Sequence, residues 1–274
     1  MHILISNDDG YTARGIKALV KILRPMGDIT VVAPKYHQSG TSMAINLGLK
    51  PIAVKQVSEA PSESWYYLDG TPSSCIKFGL DNILYPVRPD VVVSGINHGA
   101  NFATAALYSA TLGAAKEGAV NGIPSIGISI DDMSEDADFS PVEELFPDIF
   151  RKLLSSLDGR HGLYYNINFP NLPSGLIKGL RLGHMGMAHW EREYQPYDIE
   201  KLKAFGISNL RQEASTVESG EDLYMMAGDF VEDDCNDPLS DHRLVKSGYI
   251  SITAHNIDDT DYAEVERLGK IFEK

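Results

Sequence analysis

The sequence contains little cysteine. Among its 274 residues there are 2 cysteines, Cys75 and Cys235. Two cysteines are too few for a disulfide framework or a zinc knuckle, and their scarcity is typical of a reducing compartment. We therefore expect a cytoplasmic protein, with a core large enough to need no disulfides. Cys75 lies inside a helical pattern, where we expect the thiol to serve as a small apolar filler.

Basic residues are also scarce. The chain has 24 Lys and Arg against 38 Asp and Glu, which gives a formal net charge of −14. The resulting field repels polyanions, and this excludes a protein dedicated to duplex nucleic acid. A small phosphate ester can still bind where a cation or backbone amides receive it.

The sequence shows no pattern of an exported or membrane-spanning protein. Its first residues, MHILISNDDGY, have neither a basic leader nor a long apolar run, so we do not expect a signal peptide. Residues 91–115 lack Asp, Glu, Lys and Arg, but they include Asn97, His98 and Asn101. Because a membrane span needs ~20 predominantly apolar residues, we interpret this stretch as a buried strand, a polar loop and a helix.

Several common catalytic patterns are missing. There is no G-x-G-x-x-G after a strand, no G-x-x-x-x-G-K-[ST] and no G-x-S-x-G, which excludes the commonest dinucleotide, P-loop and α/β-hydrolase sites. No H-E-x-x-H occurs, and we expect none of the histidines to bind a metal. Four histidines lack metal-ligand spacing with one another: His184, His189, His242 and His255.

Strand and helix patterns alternate through the first half of the chain. Apolar and β-branched runs predict strands at His2–Ser6, Ile29–Ala33, Asp90–Ser94, Ser125–Ile130 and Leu163–Phe169. Helical spacing predicts helices at Gly15–Leu23, Ser73–Leu84, Tyr108–Val120 and Pro141–Leu157. This alternation predicts an α/β fold with a largely parallel sheet and helices on both faces. Residues 44–69 predict an antiparallel hairpin with strands at Ile52–Val57 and Trp65–Leu68.

The second half is less regular, and we divide the chain accordingly. Residues 1–182 form the predicted α/β core, residues 183–247 an irregular extension, and residues 248–274 a closing strand and helix. The closing elements are predicted at Gly248–Thr253 and Tyr262–Glu273. The stretch from Asp229 to Asp241 contains six carboxylates and no basic residue, which is typical of a solvated loop.

The strongest local signal is Asn7-Asp8-Asp9-Gly10, directly after the first strand. In open α/β sheets, ligands bind beyond the carboxyl ends of the strands. Two adjacent carboxylates repel each other, and a divalent cation with a preference for hard oxygen ligands removes that cost. The alternative is an ordinary Asx-type turn with Gly10 at positive φ.

Polar loops follow other predicted strands. Residues 34–42 read PKYHQSGTS, and residues 95–101 read GINHGAN. Glycine lets a backbone approach an anion closely, while Ser and Asn oxygens can complete the shell of a cation. His37 and His98 lie in these loops, where they could contact a phosphate or transfer a proton. Ser109 or Thr111 can cap the following helix, whose amino terminus is also an anion site.

Five ordered motifs together resemble the SurE (survival protein E) nucleotidases. They are ILISNDDG at 3–10, VVAPKYHQSG at 31–40, GTP at 70–72, SGINHGAN at 94–101 and YSATLGAAKEG at 108–118. The match runs in order over residues 1–130, with NINFP at 166–170 and GYISIT at 248–253 further along. The resemblance implies a Rossmann-like fold and a metal-dependent phosphatase acting on nucleoside 5′- and 3′-monophosphates.

The resemblance also implies roles for individual residues. One Mg²⁺ or Mn²⁺ ion would be held by Asp8, Asp9, Ser39 and Asn97, and Asp8 or Asp9 would orient the attacking water or accept its proton. The expected phosphate-binding residues are Gly40, Asn97, Asn101, Ser109 and Thr111. The irregular extension would be exchanged between subunits, which implies a homodimer or homotetramer. The expected substrate is a nucleoside monophosphate, with no duplex nucleic acid or membrane as a partner.

The chain departs from the family pattern at three places. It has Ala13-Arg14-Gly15 where the family usually has Ala-Pro-Gly, and Ser109-Ala110-Thr111 where the family usually has Ser-Gly-Thr. The extra methyl at Ala110 would tighten or shift a site in which the backbone approaches phosphate. Residues 190–245 match the family poorly, which bears on subunit geometry and substrate choice.

Two other functions remain open at this point. A zinc-dependent deacetylase can also place an Asp pair after the first strand, although such enzymes need histidine ligands and this chain has Ser6-Asn7 before the pair. A non-catalytic nucleotide-binding module would hold the phosphate without activating water. A covalent aspartyl-phosphate is a further possibility within the hydrolase mechanism.

Overall fold

A computed structural model describes residues 1–48, 50–198, 200, 220–233 and 237–273. Thirteen strands lie within this part of the chain: β1 His2–Ser6, β2 Asp28–Pro34, β3 Val54–Ala60, β4 Glu63–Leu68, β5 Val91–His98, β6 Ser125–Ile130, β7 Leu163–Phe169, β8 Leu180–Gly183, β9 Ala188–Glu191, β10 Tyr194–Pro196, β11 Tyr224–Met226, β12 Asp229–Glu232 and β13 Ile250–Asn256. The α-helices of the same residues are α1 Arg14–Leu23, α2 Pro72–Phe78, α3 Ala110–Val120, α4 Ser140–Ser155, α5 Asp241–Lys246 and α6 Tyr262–Phe272. Among these residues, no helix is both long enough and apolar enough to cross a bilayer.

A nine-stranded sheet with the order β3-β4-β2-β1-β5-β6-β7-β13-β8 forms the centre of the fold. Six neighbouring strands, in the order β4-β2-β1-β5-β6-β7, pair in parallel. The pairs β3–β4 and β13–β7 are antiparallel, whereas β13–β8 is parallel. The predicted α/β fold with a largely parallel sheet is confirmed, and so is the predicted antiparallel hairpin.

Helices cover both faces of the sheet. Successive strand side chains point to opposite faces, so Ile3 and Ile5 pack with α1 and α4, whereas Leu4 packs with α2 and α3. The central strands are therefore buried on both sides, which explains their continuous apolar runs. Cys75 belongs to the second cluster, and burial raises the pKa of its thiol well above the usual value. It is an apolar filler, as expected, while Cys235 lies outside the described residues.

Several predicted elements have different bounds in the structure. The helix predicted at 73–84 consists of α2 followed by a π-helical turn over Gly79–Ile83. Strand β5 continues beyond Ser94 to His98, with an irregularity in its pairing with β6. The helix predicted from Tyr108 begins at Ala110, after a short 3₁₀ helix over Ala103–Leu107.

The irregular extension contains order that its sequence does not reveal. Strands β9 and β12 form one antiparallel pair, and β10 and β11 form another. Residues 201–219 and 234–236, which belong to the predicted extension, lie outside the described residues. The prediction that residues 229–241 form a solvated loop is wrong at both ends, because β12 is paired with β9 and Asp241 is fully buried.

Candidate active site

Asp8 and Asp9 follow β1, the strand at which successive strands begin to be added to the opposite side of the sheet. The chain leaves β1 through α1 and adds β2 on one side, and it later returns through α2 to add β5 on the other side. Such a switch point leaves a crevice beyond the carboxyl ends of the two strands, and ligands of open α/β sheets bind there. The fold therefore places the Asp pair in the expected binding crevice.

The turn that carries the pair has the geometry of an Asx-type turn. The Asn7 side-chain amide donates to the Gly10 carbonyl at 3.1 Å, and Gly10 has φ +100°. The structural alternative for this motif is thus correct as geometry, and it does not exclude binding. A turn of this kind fixes the directions in which the two carboxylates leave the backbone.

Asp8 joins two other segments of the crevice. Its side chain is buried, Oδ1 accepts a hydrogen bond from the Thr111 hydroxyl at 2.6 Å, and Oδ2 accepts one from the Ser39 hydroxyl at 3.2 Å. Burial and the neighbouring Asp9 charge raise the pKa of Asp8 to about 6, although the Thr111 hydrogen bond acts in the opposite direction. The carboxylate form is therefore costly here unless positive charge is supplied.

Asp9 has an oxygen available to a ligand. Its Oδ2 is buried and has no hydrogen-bond donor in the structure, while its Oδ1 lies 3.4 Å from His37 Nδ1. The contact with Asp9 raises the pKa of His37, against the effect of partial burial. The Asn7 side-chain oxygen is likewise buried without a donor. Unsatisfied buried oxygens of this kind are suited to a cation.

Ser39, Gly40 and Asn97 come from the loops beyond β2 and β5. The Gln38 amide donates to the Asp8 carbonyl at 2.8 Å, which brings Ser39 to the Asp8 carboxylate. Gly40 has φ +76° and is exposed, with open space where a side chain would lie. The Asn97 amide nitrogen donates to the Gly99 carbonyl at 2.7 Å, so its side-chain oxygen is the atom left for a ligand.

Three expected phosphate-binding residues lie before α3 or in its first turn, namely Asn101, Ser109 and Thr111, and all three have hydrogen-bond partners within the protein. The Asn101 side chain donates to Ser129 at 2.9 Å, and its backbone is held by Asn166 and Asn168. The Ser109 hydroxyl accepts from the Leu112 amide at 3.1 Å, which confirms the predicted cap of α3. The Thr111 hydroxyl donates its hydrogen bond to Asp8.

Asp241 is the important residue that the sequence did not indicate. Its Oδ1 accepts from the backbone amides of Ala103 and Gly186, both at 3.0 Å, and from that of His242 at 2.8 Å. It thereby ties the loop between β5 and α3 to the extension, and Phe102 contacts Phe230 of β12 with ring centroids 6.1 Å apart. The only local signal is a Ser-Asp pair before a helix, which predicts a cap and not a contact 138 residues away.

The donor set has the chemistry of a hard-cation site. Within the described ranges, no group of three or more His, Cys, Asp or Glu is placed to hold a metal ion. The candidate ligands are instead two carboxylates, a hydroxyl and a side-chain amide oxygen, namely Asp8, Asp9, Ser39 and Asn97. An all-oxygen set suits Mg²⁺ or Mn²⁺ better than Zn²⁺, which favours nitrogen and sulfur. These residues therefore fit a divalent cation.

Comparison with known proteins shows which family the chain matches. The family model described as Survival protein SurE matches residues 3–192. A protein from Christiangramia forsetii named 5′-nucleotidase SurE is 34% identical over 269 residues, which cover 97% of this chain and 95% of the relative. One of the same name from Caldanaerobacter subterraneus subsp. tengcongensis is 38% identical over 273 residues, with 97% and 96% covered. The crystal structure of the SurE protein from Aquifex aeolicus has a TM-score of 0.78 at 28% identity and covers 99% of both chains.

These matches span nearly the whole chain, and they confirm the resemblance that the five motifs indicate. Membership of the family implies a divalent metal cofactor, which the oxygen-rich donor set accommodates. This chain belongs to the SurE family.

Proposed function

We propose that this protein is a metal-dependent phosphomonoesterase that hydrolyses nucleoside 5′- and 3′-monophosphates to nucleoside and phosphate. The observation that carries the proposal is the buried Asp8 carboxylate, which accepts hydrogen bonds from Ser39 and Thr111 beside the unsatisfied Asp9 oxygen. The relatives named 5′-nucleotidase SurE support this choice of substrate.

The cofactor in this proposal is one Mg²⁺ or Mn²⁺ ion held by Asp8, Asp9, Ser39 and Asn97. When bound, such an ion offsets the negative charge of the carboxylates and of the phosphate, and it favours ionisation of a water molecule. Thr111 keeps one Asp8 oxygen fixed through its hydrogen bond, so the other oxygen faces the Ser39 side of the crevice. The net charge of −14 makes such compensation necessary for a dianionic substrate.

The remaining residues act on the substrate and the attacking water. In the proposed reaction, a water oxygen attacks phosphorus in line with the departing ester oxygen, which leaves with the nucleoside. Asp9 orients this water or accepts its proton, since its Oδ2 has no competing donor. We assign the phosphate to Gly40, Asn97, Asn101, Ser109 and Thr111, where the amino terminus of the 11-residue helix α3 favours an anion.

Asp9→Asn removes the charge of the proposed base while keeping the shape of the side chain. We expect kcat on AMP to fall by at least ~100-fold, a typical contribution of general base catalysis. Phosphate release from a panel of nucleoside monophosphates measures kcat. The matched control is Asp148→Asn, which lies on the exposed face of α4. If the Asp9→Asn variant hydrolysed AMP at the wild-type rate, the carboxylates after β1 would not be the catalytic groups.

Removal of metal tests the class of enzyme. Protein treated with a chelator and desalted is expected to lose phosphate release from nucleoside monophosphates and to recover it with Mn²⁺ or Mg²⁺, because the all-oxygen donor set prefers these ions. Full activity in excess chelator contradicts the proposal. Stoichiometric zinc in the purified protein would favour the deacetylase, and tight AMP binding without hydrolysis under every metal would favour the binding module.

The raised pKa of Asp8 predicts an unusual pH dependence for the metal-free protein. Because the folded state holds the Asp8 proton up to about pH 6 and the unfolded state only to about pH 4, the folded state binds more protons between these values. The contribution of Asp8 to stability therefore declines by roughly 3 kcal/mol as pH rises through this window. Urea unfolding of the wild type and of Asp8→Asn at several pH values measures it. A difference between the two that is independent of pH would contradict the assignment.

We propose that residues 183–247 form an oligomerisation extension and that the protein assembles as a homodimer or homotetramer in the cytoplasm. Support comes from the β10–β11 pair, where Tyr194, Tyr224 and Met226 are 71%, 59% and 64% exposed. Apolar side chains grouped on a surface favour association with another chain.

The scarcity of cysteine, with 2 among the 274 residues, supports the cytoplasmic location.

Sedimentation equilibrium tests the assembly. The wild type is expected to sediment as two or four chains, and Tyr224→Glu is expected to shift the equilibrium towards the monomer, because it places a charge among the grouped apolar side chains. Glu221→Gln, a nearby change that adds no charge, serves as a control. A monomeric wild type at micromolar concentration would contradict the proposal.

A further inference from the structure

Gly113 occupies a position in α3 where glycine is unfavourable. The helix reads ATLGAAKEGAV, and Gly113 lies in its second turn, flanked by buried residues. Glycine within a helix destabilises the helix relative to alanine, because glycine loses more conformational entropy when the chain folds. In so alanine-rich a helix, a glycine at this position indicates a requirement of packing.

The requirement is visible in the contact between α3 and the segment that follows β2. A Cβ built on Gly113 would lie 2.1 Å from the backbone oxygen of Ser42, 2.7 Å from its carbonyl carbon and 3.1 Å from the Cα of Met43. All three are backbone atoms, so no side-chain rotation can relieve the overlap. Any side chain at position 113 must therefore displace the backbone of Ser42 or the helix itself.

Ser42 is held beside this helix by two hydrogen bonds to the residues just before it. Its amide donates to the Tyr108 carbonyl at 3.0 Å, and its hydroxyl donates to the Leu107 carbonyl at 2.8 Å. Its φ of +49° lies in the left-handed region, which is uncommon for serine. These contacts offset the conformational cost and hold the backbone at a single place on the surface of α3.

The same segment carries Ser39, three residues earlier. At that end, the Gln38 amide donates to the Asp8 carbonyl at 2.8 Å, and the Ser39 hydroxyl donates to Asp8 Oδ2 at 3.2 Å. The segment from 38 to 42 is therefore tied to the Asp8 turn at one end and to the start of α3 at the other. A shift of Ser42 has only three peptide units in which to dissipate before it reaches Ser39.

We propose that Gly113 is a positioning residue, whose lack of a side chain lets Ser42 lie on α3 and thereby holds Ser39 at Asp8. This inference rests on the proposed function, since it concerns Ser39 as a ligand of the divalent cation. Gly118, five residues further along α3, has a different role. A Cβ there would meet Val92 and Ser125 of the sheet, so Gly118 serves the packing of the helix on the core.

Gly113→Ala separates this positioning role from general helix stability. Alanine favours the helix, so loss of function in a folded variant cannot come from weaker helix propensity. The matched control is Gly269→Ala in α6, a helix that is also 11 residues long. The nearest atom to a Cβ built on Gly269 is a Glu273 carboxylate oxygen at 3.7 Å. Circular dichroism verifies folding, and calorimetric titration of metal-free protein measures the affinity for Mn²⁺ alone.

We expect Gly113→Ala to weaken Mn²⁺ binding by at least ~10-fold and to lower kcat on AMP by about 100-fold, the cost of a misplacement of ~1 Å at a reacting centre. Gly269→Ala is expected to match the wild type in both measurements. Wild-type Mn²⁺ affinity in a folded Gly113→Ala protein would overturn the inference. Because this titration involves no nucleotide, a wild type that binds Mn²⁺ but fails to hydrolyse nucleotides would count against the proposed function and not against the role of Gly113.

Ser42→Ala provides a second test that adds no atoms. It removes the hydroxyl bond to Leu107, and we expect Mn²⁺ affinity to fall by about threefold, the usual scale for one hydrogen bond. In Gly113→Ala/Ser42→Ala, the loss should equal that of Gly113→Ala alone, because both changes act through one contact. If the two single-variant losses of Mn²⁺ affinity multiplied in the double variant, the two changes would not act through one contact. If Gly113→Ala does not fold, an unchanged Mn²⁺ affinity in Ser42→Ala would overturn the inference by itself.

Discussion

The site depends on the cost of keeping a buried carboxylate charged beside another carboxylate. Asp8 is enclosed at the end of β1, and Asp9 follows it directly, so burial and charge repulsion together raise the pKa of Asp8 to about 6. Two hydroxyls, from Ser39 and Thr111, offset part of this cost but supply no net charge. In the proposed function, a divalent cation supplies that charge, which would explain how an acidic protein binds a dianionic ester.

Rigid elements bring the parts of this site together. The turn after β1 presents the carboxylates, α3 presents Thr111, and the loop after β2 presents Ser39. Gly113 allows that loop to lie directly on α3, which links the two hydroxyl donors to one another. On the other side of the crevice, Asp241 of the extension holds the loop before α3 through Ala103. Changes in the extension can therefore reach the residues that we assign to the phosphate without altering a proposed metal ligand.

Much of the fold follows from local sequence, because buried parallel strands are apolar runs and helices such as α1 and α4 have one apolar face. The same reasoning located the Asp8-Asp9 pair and the polar loops at the strand ends, whereas the choice of Ser39 and Asn97 as ligands came from the family resemblance. It could not predict the hydrogen bond from Thr111 to Asp8, which joins residues 103 positions apart. A capping role was the commoner expectation for Thr111, and the structure gives that role to Ser109.

The acidic stretch shows why local patterns fail in the second half of the chain. A run of carboxylates normally lies in solvent, yet Asp241 is fully buried because three backbone amides converge on one of its oxygens. Two of those amides, from Ala103 and Gly186, lie 138 and 55 residues away, so neither charge nor spacing indicates the contact. Strands β9 and β12 escaped prediction for a related reason, since each is 4 residues long and is defined by its partner.

The most direct measurement is the anomalous scattering of manganese in crystals of this protein soaked with Mn²⁺. We expect a single peak in the crevice, within coordination distance of oxygens from Asp8, Asp9, Ser39 and Asn97. Crystals with no anomalous peak there, and with the two carboxylates turned away from each other, would contradict a site built on shared negative charge.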